Sequence, residues 1–291
     1  ENINHNYTEK LIKKFNPDII HETYYSNKNY EKNTRIVCTV YDMINEIFPN
    51  YSKNSKEISQ MKMYTLNRAD KIFCISNKTK QDLIKYFNIK ESKIKVSYLS
   101  SGFENMKSSD SKKKEFSDCL LFVGSRYGYK NFENFIKAYA ISNDLRNNYR
   151  ILFYGGEKPG KYEFEIIKKN KLNNEQILFY NDDHYDLAYI YSNVLALIYP
   201  SFYEGFGIPI LEAMSLGCPV ISSNGGALSE IGGTGVPYFD PNSIEEITSK
   251  IENILSSTNS LKNIREYGLK RSNEFSWKNC ANQTFEGYNE I

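Results

Sequence analysis

Pro200-Ser201-Phe202-Tyr203-Glu204-Gly205-Phe206-Gly207-Ile208-Pro209-Ile210-Leu211-Glu212-Ala213-Met214 is the stretch that decides the fold. Ahead of it, the apolar run Val194 to Tyr199 predicts a buried strand that ends at Pro200. Behind it, Pro209 suits the first turn of a helix that Gly217 closes. The polar turn between them carries Gly205 and Gly207, which permit close backbone approach. A strand, turn and helix of this kind present unbonded N–H groups and the positive end of a helix dipole at the carboxyl end of a parallel strand. A diphosphate fits such a place. Glu204 before the helix and Glu212 about a turn inside it can each accept hydrogen bonds from hydroxyl pairs of a sugar or ribose. Taken alone, two acids at that spacing are ordinary helix charges.

Outward from this segment the chain alternates strand and helix, the rhythm of a parallel sheet. Strands are expected at Cys119 to Val123, Arg150 to Tyr154, Ile177 to Tyr180, Val194 to Ile198 and Pro219 to Ser222. Phe132, Phe135, Ile136 and Tyr139 recur at helical spacing. Earlier runs, Asp18 to His21, Arg35 to Val40, Lys71 to Ile75 and Ile94 to Tyr98, read the same way. All 16 glycines fall from Gly102 onward, so two unlike regions meet near that point. Lys107 to Lys114 is a Ser/Lys tract with nothing to bury, and 106–117 reads as a linker. The expected organisation is a Rossmann-like domain at 1–105, that linker, a second Rossmann-like domain at 118–270, and a final helix at 271–291. That helix carries Trp277, Cys280, Ala281, Phe285 and Tyr288 on one stripe, expected to pack back toward the domain junction. Four strands are few for a doubly wound sheet, no glycine-rich turn precedes Asp18, and the chain starts without Met. The first domain therefore reads as incomplete, with the natural chain extending further toward its N-terminus.

The Glu204 segment resembles retaining glycosyltransferases of family 4, which have the two-domain GT-B fold, and Glu204 to Pro209 is among that family's most specific strings. The resemblance implies that Glu204 contacts the donor hexose and Glu212 the ribose of the nucleotide, with Gly205, Phe206, Gly207 and Ile208 lining the donor. Val123-Gly124-Ser125-Arg126-Tyr127-Gly128-Tyr129-Lys130 is similar to the family's loop after the first donor-domain strand. In it Gly124 and Ser125 match donor contacts, and Arg126 and Lys130 a basic pair on the diphosphate. Independently of any family, a departing nucleoside diphosphate gathers negative charge that fixed cations stabilise most in the transition state. Tyr180 and Asn181 stand where family members meet the base. Ser222 to Glu230 resembles a loop that shapes the donor pocket, with Glu230 readable as helix acid or ligand.

The first half departs from the family. Many members place a functional His where this chain has Tyr41, beside Asp42. Tyrosine hydrogen-bonds to sugars and phosphates but is no base at neutral pH. His21, at the end of a predicted strand, is the other acceptor-side candidate.

Composition bounds the rest. The 291 residues are 40% hydrophobic and 25% charged, an ordinary globular balance, with no run long enough to span a membrane and no signal-peptide core at the start. Five cysteines lie far apart, which argues against a disulfide framework or a CxxC metal site and for a reduced, cytoplasmic protein. Residues 1–117 hold 21 Lys+Arg against 14 Asp+Glu, a balance of +7, and the remainder holds 16 against 21, or −5. A basic first half favours anionic partners, including the inner face of a membrane, but no Arg cluster interleaved with aromatics points to nucleic acid. The expected reaction is retaining transfer of a hexose, mannose by preference, from a GDP- or UDP-linked sugar to a saccharide or lipid-linked acceptor. Neither a metal nor another cofactor is expected. Two alternatives stay open: a GT-B epimerase or phosphorylase, and a non-catalytic nucleotide-sugar-binding subunit.

Overall fold

The glycine-free first hundred residues build a parallel sheet in the computed structural model, which describes residues 2–28, 30, 34–104, 106, 114–173, 175–180 and 187–291. Strands β1 (Ile19–Glu22), β2 (Arg35–Val40), β3 (Lys71–Cys74) and β4 (Ile94–Val96) lie side by side in that order, with Ile20 opposite Ile36 and Val37 opposite Lys71. Every residue of β3 is buried, as a central parallel strand covered on both faces requires. The helix Asn77–Phe87 leaves β3 at Ser76, whose hydroxyl accepts the Thr79 N–H, and closes at Asn88 with φ of 52°.

The glycine-containing region forms the second sheet. Its strands are β5 (Cys119–Val123), β6 (Arg150–Tyr154), β7 (Ile177–Tyr180), β8 (Ala196–Tyr199), β9 (Val220–Ser223) and β10 (Tyr238–Phe239), in the spatial order β10-β9-β8-β5-β6-β7. The chain winds outward from β5 to β7, returns beside β5 as β8, and winds the other way. This doubly wound order puts the topological switch between β5 and β8, where the loops leaving the two strands diverge. Apolar residues on both faces of β5 explain its place at the centre. Leu120 and Phe122 pack on Phe132, Phe135 and Ile136, while Leu121 and Val123 face the cluster holding Ile210 and Leu211. Burying each such side chain is worth about 1.5–3 kcal/mol, so the two faces fix the helices that carry the site. The expected α/β fold of two Rossmann-like domains is the one observed. The two-residue β10 is too short to register as an alternating pattern.

Two features differ from the sequence reading. Phe116, inside the expected linker, is buried in the second domain against Tyr180 and Tyr189, so that domain's packing starts before Asp118. The helix Trp277–Tyr288 does cross to the first domain, but through only part of the expected stripe. Trp277, Ala281 and Phe285 are exposed, whereas Cys280 and Thr284 meet Ser97, Tyr288 meets His21, and Gly287 lies on Phe73. The glycine lets the helix backbone approach the sheet, a preference that an apolar stripe does not reveal.

Candidate functional site

Lys130 and Glu204 meet at the switch point. Lys130 ends the short turn Gly128–Lys130 that follows β5, and Glu204 sits in the loop that follows β8. The Lys130 ammonium donates to Glu204 Oε1 at 2.7 Å and to the Tyr199 hydroxyl at 2.9 Å. Tyr199 and Ser201 donate to the same oxygen at 3.0 and 2.7 Å. Glu204 Oε2 is left with no partner among the described residues, which makes it the atom open to a ligand hydroxyl. The ammonium is flanked by the rings of Tyr129 and Tyr199, at 5.2 and 5.1 Å. Burial pulls the Lys130 pKa down, but Glu204 more than offsets it, and the net value lies above the ordinary 10.5. A fixed cation and a carboxylate with one open oxygen thus stand together where charge can be stabilised without reorganisation. Tyr199 and Ser201 were not foreseen, and only the fold shows that they converge on Glu204.

The helix Ile208–Ser215 starts beside this pair. Gly207 precedes it at φ of +97°, Pro209 occupies its first turn, and the N–H groups of Phe206, Gly207 and Ile208 have no acceptor among the described residues. Such a helix start favours an anion. Ile208 is partly exposed here, but the Phe206 ring is not a ligand contact, because it is buried between Tyr98 and Phe275. Gly205 also has a purpose other than the expected one. A Cβ there would lie 1.9 Å from the Tyr41 carbonyl oxygen, so the close approach is to the first domain rather than to a ligand. Gly124, at φ of +107°, turns the chain after β5 beneath the Lys130 side chain, and Ser125 follows it, half-buried.

Glu212 projects from the same helix, and its Oε2 accepts from Tyr191 at 3.1 Å. Burial raises its pKa above the ordinary 4.5, against the Tyr191 hydrogen bond. After burial, Glu204 and then Glu212 push the Tyr199 pKa far up, so both carboxylates act on one neighbourhood. Tyr180 is remote from it: the residue ends β7, two strands from β5, with its ring edge-on to Phe116 at 5.5 Å. Asn181 lies outside the described residues.

Arg126 is not brought together with Lys130. Its side chain is 1% exposed, with Nε donating to Glu163 Oε1 at 3.1 Å, one terminal nitrogen to the Gly155 carbonyl at 2.8 Å, and the other to the Glu157 carbonyl. The guanidinium therefore ties the loops after β5 and β6 together, below the crevice. Where a diphosphate contact was expected, the structure shows a buried scaffold contact, with Glu163 and two backbone carbonyls taking three of the five N–H donors.

Of the acceptor-side candidates, His21 is corrected and Tyr41 stays at the junction. His21 hydrogen-bonds through Nδ1 to the Tyr288 hydroxyl at 2.6 Å and through Nε2 to Thr39 Oγ1 at 2.8 Å. Its pKa is lowered by burial, and it works as a packing residue under the last helix. Tyr41 does reach the junction, yet it is its carbonyl that meets the Glu204 loop, while burial raises the pKa of its hydroxyl. Glu230 reaches across the junction and accepts the N–H groups of Asn77 and Lys78 at 2.7 and 2.9 Å, capping a first-domain helix.

Residues 103–271 match the family model described as glycosyl transferases group 1, and residues 3–99 match the one described as glycosyltransferase family 4. The chain is 29% identical over 273 residues to the O-antigen chain mannosyltransferase B of Escherichia coli, covering 87% of this chain and 70% of that protein. It is 27% identical to the serotype-specific mannosyltransferase WbdA of the same organism, of whose length it spans 34%. Among solved structures it resembles a sucrose-phosphate synthase from Thermosynechococcus elongatus, with a TM-score of 0.82 at 19% identity over 97% of this chain and 76% of that one. It also resembles the Anabaena protein Alr3699/HepE crystallised with UDP-glucose, with a TM-score of 0.79 at 16% identity over 97% of this chain and 82% of that one. At those identities the structural likeness speaks for the fold alone.

Proposed function

Because the chain belongs to the group 1 glycosyl transferases, we propose that it moves a hexose from a nucleoside diphosphate sugar to a saccharide or lipid-linked acceptor, with retention at the anomeric carbon. The observation that carries this reading is the Lys130–Glu204 pair at the switch between β5 and β8, beside the N–H groups of Phe206, Gly207 and Ile208, which have no acceptor among the described residues. In the proposed arrangement those N–H groups and Lys130 take the diphosphate, Glu204 Oε2 takes a hexose hydroxyl, and Glu212 takes the ribose. Lys130 then stabilises the charge that gathers on the leaving diphosphate, and the acceptor enters from the leaving side. The mannosyltransferase relatives favour mannose, and with it guanosine, as the donor. The basic first half suits an acceptor held at an anionic membrane surface.

Calorimetry with GDP, UDP, GDP-mannose and UDP-glucose tests the reading, and failure of a folded protein to bind any of the four would refute it. Glu212→Ala should weaken nucleotide and nucleotide sugar alike, by about 1–3 kcal/mol for a hydrogen bond to a charged group. Since the Glu212 pKa is raised, acid should protonate it and weaken nucleotide binding from a pH above its ordinary 4.5, and Glu212→Gln should flatten that dependence. Unchanged affinity in Glu212→Ala would remove the ribose assignment.

A further inference from the structure

Each charged member of the pair directly follows a tyrosine planted in the first domain. Tyr203 is 5% exposed and packs in the first-domain core with Met43 and Leu83, its hydroxyl donating to Asp82 Oδ2 at 2.9 Å. Asp82 belongs to the helix Asn77–Phe87, and Lys78 holds its other oxygen at 2.5 Å. Tyr129 joins the same core, stacked on Phe48 at 6.2 Å and edge-on to Tyr51 at 5.0 Å. The Phe202 N–H donates to the Tyr129 carbonyl at 2.7 Å, which binds the two loops to each other. On the far side of Glu204, the Gly205 carbonyl accepts from Ser76 Oγ at 2.7 Å and Thr79 Oγ1 at 3.1 Å. Glu204 thus lies between two residues that the first domain holds, and Lys130 directly after a third. Neither charged side chain itself bonds to that domain among the described residues.

We propose that Tyr203 and Tyr129 are positioning residues that set the Lys130–Glu204 pair from the first domain, so that the sugar part of a donor is gripped only when the two domains are docked. This rests on the assignment of Glu204 to the hexose. The physical reason is leverage. The loop carrying Glu204 leaves the second sheet at Pro200 and begins its helix at Ile208; the Ala227 N–H holds the Glu204 carbonyl at 2.9 Å from its own domain, while the residues on either side, Tyr203 and Gly205, are held by the first. A misplacement of about 1 Å at such a site costs on the order of a hundredfold in rate. Burial first, and then Asp82, drive the Tyr203 pKa far above the ordinary value, so the hydroxyl stays a donor throughout the working pH range.

The test compares wild type, Tyr203→Phe, Asp82→Asn, Tyr129→Ala and Glu204→Gln for binding of GDP, UDP, GDP-mannose and UDP-glucose, for turnover of the donor that binds, and for Tm. Tyr203→Phe keeps the ring and removes the hydroxyl that bonds Asp82. It should leave nucleoside diphosphate affinity within about twofold, but cut kcat and the extra affinity contributed by the sugar by about tenfold or more. Tyr129→Ala should move the same two quantities. Asp82→Asn, which retains an acceptor oxygen for Tyr203, should stay close to wild type in both quantities. If Glu204→Gln removes the sugar increment while Tyr203→Phe leaves it intact, positioning is refuted and the site reading survives. If Glu204→Gln leaves the increment intact, both fall. Equal loss of nucleotide and nucleotide-sugar affinity in Tyr203→Phe, with a lowered Tm, would reduce the tyrosine to packing and overturn the proposal.

Discussion

Lys130→Ala should lower sugar transfer by about 10²–10³-fold, the usual cost of removing one preorganised group aimed at transition-state charge. The side chain is 13% exposed, enclosed by the Tyr129 and Tyr199 rings, in surroundings where a charge acts more strongly than in water. Its pKa lies above the ordinary lysine value, so the ammonium is present throughout the neutral range. The loss should fall mainly on kcat, since the diphosphate gains most of its charge as the sugar departs, and ground-state nucleotide affinity should fall less. Lys130→Arg should rescue poorly, because a planar fork does not fill the place of a compact ammonium between two rings. Glu204 keeps Tyr199 and Ser201 as donors in the alanine variant, so the fold should survive and Tm separates a catalytic loss from unfolding. Transfer within about threefold of wild type would end the assignment of Lys130 to the leaving group.

The core of this site was legible because its geometry is local. Pro200, Gly207 and Pro209 dictate where the strand stops and the helix starts, whatever the rest of the chain does. Lys130 follows in the same way from the turn after β5. What the sequence hid is long-range. Tyr203 and Asp82 stand 121 positions apart, and Glu230 and Asn77 stand 153 apart, so only the docking of two domains reveals them as partners. Tyr203 and Tyr129 looked like two among 24 tyrosines. His21 is ambiguous in the sequence because a histidine at a strand end looks alike whether it faces a crevice or a helix. Its partner, Tyr288, lies 267 positions away. The last helix was rotated in the sequence reading for a related reason. Periodicity rewards Trp277, Ala281 and Phe285 along with Cys280 and Tyr288, whereas packing kept only Cys280 and Tyr288 of that stripe and added the Thr284 hydroxyl and the bare backbone of Gly287.

Arg126 poses the sharpest conflict between pattern and structure, and its substitution separates the two. A basic residue in a glycine-rich turn reads the same whether it points at a phosphate or at a carboxylate 37 positions away, which is where Glu163 lies. In the fold both side chains are buried, at 1% and 0% exposure, and Glu163 Oε2 also accepts the Gly160 N–H at 3.0 Å to close the first turn of the helix Lys161–Lys169. Removing one partner leaves the other charged and without its counter-ion in the interior, at a cost of about 3–5 kcal/mol. Arg126→Ala and Glu163→Ala should therefore each lower the unfolding free energy obtained from chemical denaturation by that amount. A double variant, Arg126→Met with Glu163→Leu, should recover much of it, since an apolar pair of similar volume carries no desolvation penalty. The double-mutant cycle should show strong coupling, as for any pair in direct contact. A direct role on the diphosphate makes the opposite forecast: Arg126→Ala would keep wild-type stability and lose transfer, Glu163→Ala would keep both, and the cycle would show no coupling in stability. That outcome would require the guanidinium to leave Glu163 and two backbone carbonyls when a donor binds, and would return Arg126 to the catalytic group beside Lys130.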